Sequence, residues 1–269
     1  MREPSGERFD ALVRIMERLR ADGGCPWDRE QTRQSLKPFL IEEAYEVVEA
    51  IDEGDTEQLL EELGDLLFQV VFHAQVAAER GEFTIGQVLA ATADKMVRRH
   101  PHVFSDGTAS TAGEVLELWE KLKREERDAT AAVPGSALDG VPKELPALLR
   151  AQRLQDKASR AGFDWPEISG VIAKVQEELD ELNAAIQGSA PDEVELELGD
   201  LLFSLVNMAR FLNLSAEDAL RKSIGRFSAR FRYMEQTIER GGRRLKEASP
   251  KEMNSLWEEA KASGRPPLA

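Results

Sequence analysis

One cysteine and three histidines are all that these 269 residues offer to disulfide or soft-metal chemistry. Cys25 has no second thiol to pair with, and no C-x-x-C or Cys/His cluster marks a zinc site. A di-iron bundle needs Glu-x-x-His pairs on its helices. No glutamate stands three residues before His73, His100 or His102. Long apolar runs are scarce too. The longest, LLFQVVFHAQVAA, falls short of the ~18 residues that a bilayer span needs, and MREPSGERFDALVRI has no apolar signal core. The expectation is a cytoplasmic protein with no membrane partner. Neither a P-loop GxxxxGK(S/T) nor a Gly-x-Ser-x-Gly elbow occurs, which excludes Walker-type NTPases and that class of serine hydrolase. A net charge of −15 repels nucleic acid, so no nucleic-acid partner is expected.

Positive charge is absent from two long stretches. Pro38 to Glu79 holds twelve Asp or Glu and no Lys or Arg; Val175 to Ala209 holds nine acids, again with no base. Solvated helices ordinarily mix signs and use Glu–Lys pairs. Within these stretches the heptapeptide ELGDLLF occurs twice, at 62–68 and 197–203, each time setting an aspartate (Asp65, Asp200) beside Leu-Leu-Phe. Burying such a carboxylate without a partner costs several kcal/mol.

The heptapeptide belongs to a longer repeat. A shift of 135 residues lays Glu42, Glu43, Glu46, Glu62 and Asp65 on Glu177, Glu178, Glu181, Glu197 and Asp200. Lys95 and Arg99 then correspond to Arg226 and Arg230, and Trp119 in ELWEKLK to Trp257 in SLWEEAK. Between the copies, DATAAVPGSALDGVPKELP is rich in Ala, Pro, Gly and Ser and lacks a helical period, so it reads as a linker. The expected domains are 1–127 and 147–269, joined by 128–146.

Each copy reads as helices. Leu40, Ile41, Ala44, Val47, Val48 and Ile51 follow the amphipathic spacing. Gly54 and Asp55 end that helix, a second runs from Thr56 to Glu79, and Thr84 is placed to cap a third. Sustained period-2 alternation is missing, so the fold class is all-α.

Glu43/Glu46 and Glu62/Asp65 are i, i+3 pairs, each on one edge of its helix. The short turn near Gly54 makes the helices antiparallel and brings the two pairs into a half-buried groove. Gly64 and Gly199 lack side chains that would obstruct close approach there. Four converging carboxylates repel one another unless a cation sits between them, and hard divalent ions prefer oxygen: Mg²⁺, or Mn²⁺, is the natural occupant. Lys95/Arg99, Arg226/Arg230 and Lys174 supply charge for phosphates. Metal-assisted hydrolysis of a phosphoanhydride is the chemistry that follows. Trp119 and Trp257 read either as core aromatics or as rings stacking on a nucleobase.

The pattern E-E-x-x-E, fifteen residues, E-x-x-D stands at 42–65 and again at 177–200. With CPWDREQT (25–32) and RRHPHVF (98–104), it resembles the MazG-type nucleoside triphosphate pyrophosphohydrolases in their two-domain bacterial form. The resemblance implies a homodimer whose protomers jointly build four-helix-bundle sites. It also implies Mg²⁺-dependent cleavage of NTPs or dNTPs between the α and β phosphates, giving NMP and pyrophosphate. By motif, Glu43, Glu46, Glu62 and Asp65 would be metal ligands in the first copy, and Glu178, Glu181, Glu197 and Asp200 in the second. Lys174, Glu177, Arg226, Arg230 and Trp257 match nucleotide contacts, with Glu42, Lys95, Arg99 and Trp119 their first-copy counterparts. Phe39 stands where the second copy has Lys174, and Glu193 where some relatives carry a base. Each departure weakens its own copy; the second copy, whose nucleotide contacts match the family better, is expected to be the active one. Two alternatives stay open: a metal-dependent nucleotide sensor without turnover, and a relative restricted to dUTP or phosphoribosyl-ATP.

Overall fold

The structure, a computed structural model, describes residues 5–128, 135–188 and 191–262. It is all-α, with no strand among the described residues. Twelve α-helices form among the described residues: α1 (Ser5–Arg20), α2 (Pro26–Glu30), α3 (Arg33–Glu53), α4 (Thr56–Glu79), α5 (Ile85–Arg99), α6 (Pro101–Phe104), α7 (Ala112–Asp128), α8 (Ala147–Arg160), α9 (Ile168–Gly188), α10 (Pro191–Phe211), α11 (Ala216–Arg240) and α12 (Pro250–Ala262). The chain divides into two compact units, Met1–Leu122 and Lys123–Ala269. This division falls within α7, ahead of the linker expected at 128–146, of which residues 129–134 lie outside the described residues.

In the first unit the helix boundaries follow local chemistry. Thr32 and Ser35 form a reciprocal cap at the start of α3, and Thr84 and Gln87 do the same for α5. Gly54 ends α3 in the left-handed region, at φ 72°, where a side chain would be strained. Asp55 then accepts from the backbone amides of Glu57 and Gln58, opening α4. This turn lays α4 back along α3, and α1 packs on α4. Met16, Leu36, Val71, Phe72 and Val76 form the sealed centre, with Phe9, Leu12, Val13, Phe39 and Phe68 around it. Each large apolar side chain fully buried there contributes about 1.5–3 kcal/mol.

The second unit repeats the central pairing. α9 packs along α10, α8 and α11 both lie against α10, and α12 covers part of α11. Val171, Ala185, Val206, Met234, Ile238 and Ala248 are its buried apolar residues among those described. Both units leave apolar surface uncovered. Leu60, Leu63, Leu67 and Val70 are exposed along one side of α4, and Leu198, Leu202 and Leu205 along one side of α10.

Candidate active site

At the seam of α3 and α4, one oxygen from each of Glu43, Glu62 and Asp65 lies within 4.8 Å of the others. Glu178, Glu197 and Asp200 make the same cluster at the seam of α9 and α10. The i, i+3 spacing sets two acids on one helix edge, and the antiparallel partner supplies the third. Glu46 and Glu181, expected as fourth ligands, stand outside these triads, yet their charge reaches them.

Electrostatics record the crowding. Burial, then the Asp65 and Glu46 charges, push the Glu43 carboxyl above the usual range. Glu62 is raised by burial and then by Glu46. Glu197 is raised by burial and then by Glu181, Glu178 and Asp200. Three oxygens at this spacing are a donor set that suits a hard divalent cation.

The expectation that both aspartates sit in a half-buried groove is not met within the chain. Asp65 and Asp200 are exposed. The reason is that the leucines beside them, Leu63, Leu67, Leu198 and Leu202, are themselves exposed, so none of the described residues covers that side of either helix. Within the two triads the buried acid is instead Glu178, at 5% exposure. Gly64 and Gly199 need correction too. A side chain built at either position would meet nothing within 4 Å, so neither glycine serves a close approach within the chain.

Lys174 is where the copies part. Its Nζ donates to Glu177 at 2.7 Å and lies 2.8 Å from Glu178, and these carboxylates hold the ammonium group above the usual lysine range. In the first unit Phe39 takes this position and packs into the core, edge-on to Trp27, with ring centroids 5.6 Å apart; nearby Lys37 is exposed, as is Glu42. The other basic candidates ride on neighbouring helices: Lys95 and Arg99 on α5, against α4, and Arg226 and Arg230 on α11, against α10. Arg226 is exposed. Arg230 lies over the Trp257 ring, 5.6 Å from its centre, and that ring packs on Phe227. Trp119 meets His100 edge-on at 4.9 Å.

Sequence reasoning missed a cavity of about 640 Å³ beside the second triad. Lys174, Glu178 and Asp200 border it, and Phe163, Trp165 and Phe203 give it aromatic walls. The segment GFDW (162–165) lies outside the repeated motifs, so the repeat gave no reason to look there. Two aromatics directly after a turn glycine, Gly162 at φ 92°, were the available signal. Asp164 in this segment forms a two-pronged ion pair with Arg210, one arm at 3.1 Å. Burial alone would raise the Asp164 carboxyl, but hydrogen bonds from Arg210, Ser159 and the Trp165 amide outweigh it and hold the group below its usual range.

Paired antiparallel helices carry a carboxylate triad suited to a metal ion, and the arrangement is present twice. Residues 31–104 and 167–233 each match the MazG nucleotide pyrophosphohydrolase domain. The chain belongs to the MazG nucleotide pyrophosphohydrolase family. It is 48% identical over 257 residues to the nucleoside triphosphate pyrophosphohydrolase/pyrophosphatase MazG of Thermotoga maritima, covering 96% of this chain and 97% of the relative. A nucleoside triphosphate pyrophosphohydrolase of Escherichia coli is 45% identical, with 94% and 97% covered. Protein YabN of Bacillus subtilis, an uncharacterized protein, is 46% identical over 96% of this chain and 52% of its own length.

Proposed function

We propose that the protein hydrolyses nucleoside triphosphates between the α and β phosphates, releasing a nucleoside monophosphate and pyrophosphate. The observation that carries this reading is the carboxylate triad found at equivalent places in both MazG domains. Full-length relatives named for that activity support it.

Glu178, Glu197 and Asp200, with Glu181 alongside, would hold Mg²⁺ in the second unit; Glu43, Glu46, Glu62 and Asp65 are the first-unit counterparts. When bound, the metal neutralises phosphate charge and makes water a better nucleophile. The chain's own groups do the rest. Lys174 already stands on Glu177 and Glu178, so a phosphate arriving at the triad meets an ammonium group fixed in place. Arg226 and Arg230, on the helix packed against α10, add charge for the outgoing pyrophosphate, and Trp257 is held by Arg230 and Phe227 at that end.

The two repeats act as domains, 1–127 and 147–269, joined by 128–146, and the second is the catalytic one. Phe39 in place of Lys174 supports this division, because it removes the cation from the first triad and adds an aromatic to the core. The first unit then retains metal ligands without a complete phosphate site. A second copy of the chain covers the exposed leucine stripes of α4 and α10, making the working molecule a homodimer. Its place is the cytoplasm, where its nucleotide substrates are.

Product identity tests the reaction. Incubated with Mg²⁺ and each NTP or dNTP, the protein is expected to yield NMP and pyrophosphate by chromatography. Appearance of NDP with orthophosphate would refute the cleavage position.

A further inference from the structure

The two triads secure their equivalent glutamates by different chemistry. Under the shift of 135, Glu43 corresponds to Glu178, Phe39 to Lys174 and Gln69 to Ser204. In the second unit Lys174 Nζ stands 2.8 Å from Glu178 and 2.7 Å from Glu177, so an ammonium group already neutralises part of that triad. In the first unit Phe39 takes its place and packs into the core. Glu43 is held instead by a neutral group, the Gln69 amide. Its hydrogen bond counters part of the rise that burial and neighbouring acids impose on the Glu43 carboxyl. An ionised carboxylate only accepts, so Gln69 gives an Nε2 hydrogen to this bond.

Gln69 also carries an unmet hydrogen-bonding group. The residue is 7% exposed and lies on α4, one helical turn beyond Asp65. Its Oε1 is buried and has no partner among the described residues. A buried acceptor without a donor destabilises the fold, and a water molecule or ion is the usual remedy. Oxygen and nitrogen belong to one amide, so the orphan acceptor lies beside Glu43 as well. Water carried by a hard divalent ion is a donor of the kind it lacks. Ser204 has no amide to offer, and Glu178 has Lys174 in its stead.

Charge then separates the two sites. Glu43, Glu62 and Asp65 each bring an oxygen to within 4.8 Å of the others. The charges of Glu46 and Asp65 act on both Glu43 and Glu62, all of one sign. A divalent cation arriving there meets uncompensated negative charge and a ligand that Gln69 has already set in place. At the second triad the same ion is repelled by the ammonium group on Glu178, where burial keeps screening by water weak. Phosphate oxygens remove that conflict, because they attract the metal and Lys174 together.

We propose that the first triad is a resident divalent-cation site, filled without nucleotide, in which Gln69 is the residue that positions Glu43. The second triad takes its cation only together with a phosphate chain, because Lys174 holds Glu178 until phosphate arrives. The proposal rests on the reading that both triads bind metal, and it adds the order in which they fill. One repeat thus keeps its ion between turnovers, and the other receives its ion with the substrate.

The probe is Mn²⁺, with inorganic triphosphate withheld or present, and bound ion is counted by equilibrium dialysis of the full chain. Without triphosphate the wild type is expected to bind Mn²⁺, and Asp200→Asn to match it. Asp65→Asn binds at least about tenfold more weakly. Adding triphosphate gives the wild type a second set of bound ions, which Asp200→Asn lacks. Lys174→Met acquires ions at the second triad without triphosphate, so its count exceeds that of the wild type. Gln69→Ser weakens triphosphate-free binding about tenfold and leaves the triphosphate-dependent set unchanged, whereas a merely structural defect would diminish both. Wild-type binding only when triphosphate is present, triphosphate-free binding lost in Asp200→Asn, or wild-type behaviour of Gln69→Ser or Lys174→Met overturns the proposal. Absence of Mn²⁺ from the wild type with and without triphosphate would instead strike the metal-site reading.

Discussion

A carboxylate must lose its proton before it can take a metal ion, so a raised pKa makes the proton a stronger competitor. Glu43, Glu62 and Glu197 are in that position: burial and the acids around them favour their neutral forms. The sign follows directly. As pH falls, these groups begin to protonate at a higher pH than an ordinary glutamate would, and the metal loses its ligands over the same range. The same repulsion opposes folding at neutral pH and relaxes in acid, so the metal-free protein tolerates mild acid at these sites better than the metal-bound one. Calorimetric titration with Mg²⁺ and nucleotide is expected to show affinity dropping steadily as pH falls from neutrality, before the ordinary glutamate range is reached. A flat profile over that interval would remove proton competition from the description.

At the scale of the helix, pattern and packing must be read separately. The ends of α3, α4 and α5 follow from Gly54, Asp55, Thr32 and Thr84, each acting on its own backbone neighbours, and such local chemistry is legible in the sequence. The triads are legible for the same reason, since spacing along a helix fixes which side chains share an edge. What covers a helix face is not local. Leu63 and Leu67 look like core in the sequence, yet they are exposed in the single chain, and the aspartate between them is exposed with them. Leu60, Leu63, Leu67 and Val70 recur at i, i+3, i+7 and i+10, one stripe down α4, the pattern of a face that meets another helix. Leu63→Glu combined with Leu202→Glu is expected to halve the mass measured by light scattering and to leave far-ultraviolet helicity intact. An unchanged mass would show that these stripes do not join two copies.

For the whole molecule, the repeat is the main lesson. It revealed the fold class, the paired acids and the symmetry between Asp65 and Asp200, all features that the copies share. It could not reveal the features that only one copy has. Trp165 and the Asp164–Arg210 pair were hidden because their first-repeat positions hold unrelated residues, such as Glu30 at the place of Trp165. Two units of like ancestry thus differ in the space beside the triad: one filled with phenylalanines, the other open and bordered by Lys174. If that difference assigns the chemistry, the two aspartates are unequal despite their identical heptapeptides. The direct measurement is pyrophosphate release, with Mg²⁺ and a saturating NTP, by Asp200→Asn and Asp65→Asn proteins assayed separately. Asp200→Asn is expected to lower the rate by at least about a hundredfold, while Asp65→Asn retains most of it. Loss of turnover in Asp65→Asn with activity preserved in Asp200→Asn would contradict the assignment of catalysis to the second repeat.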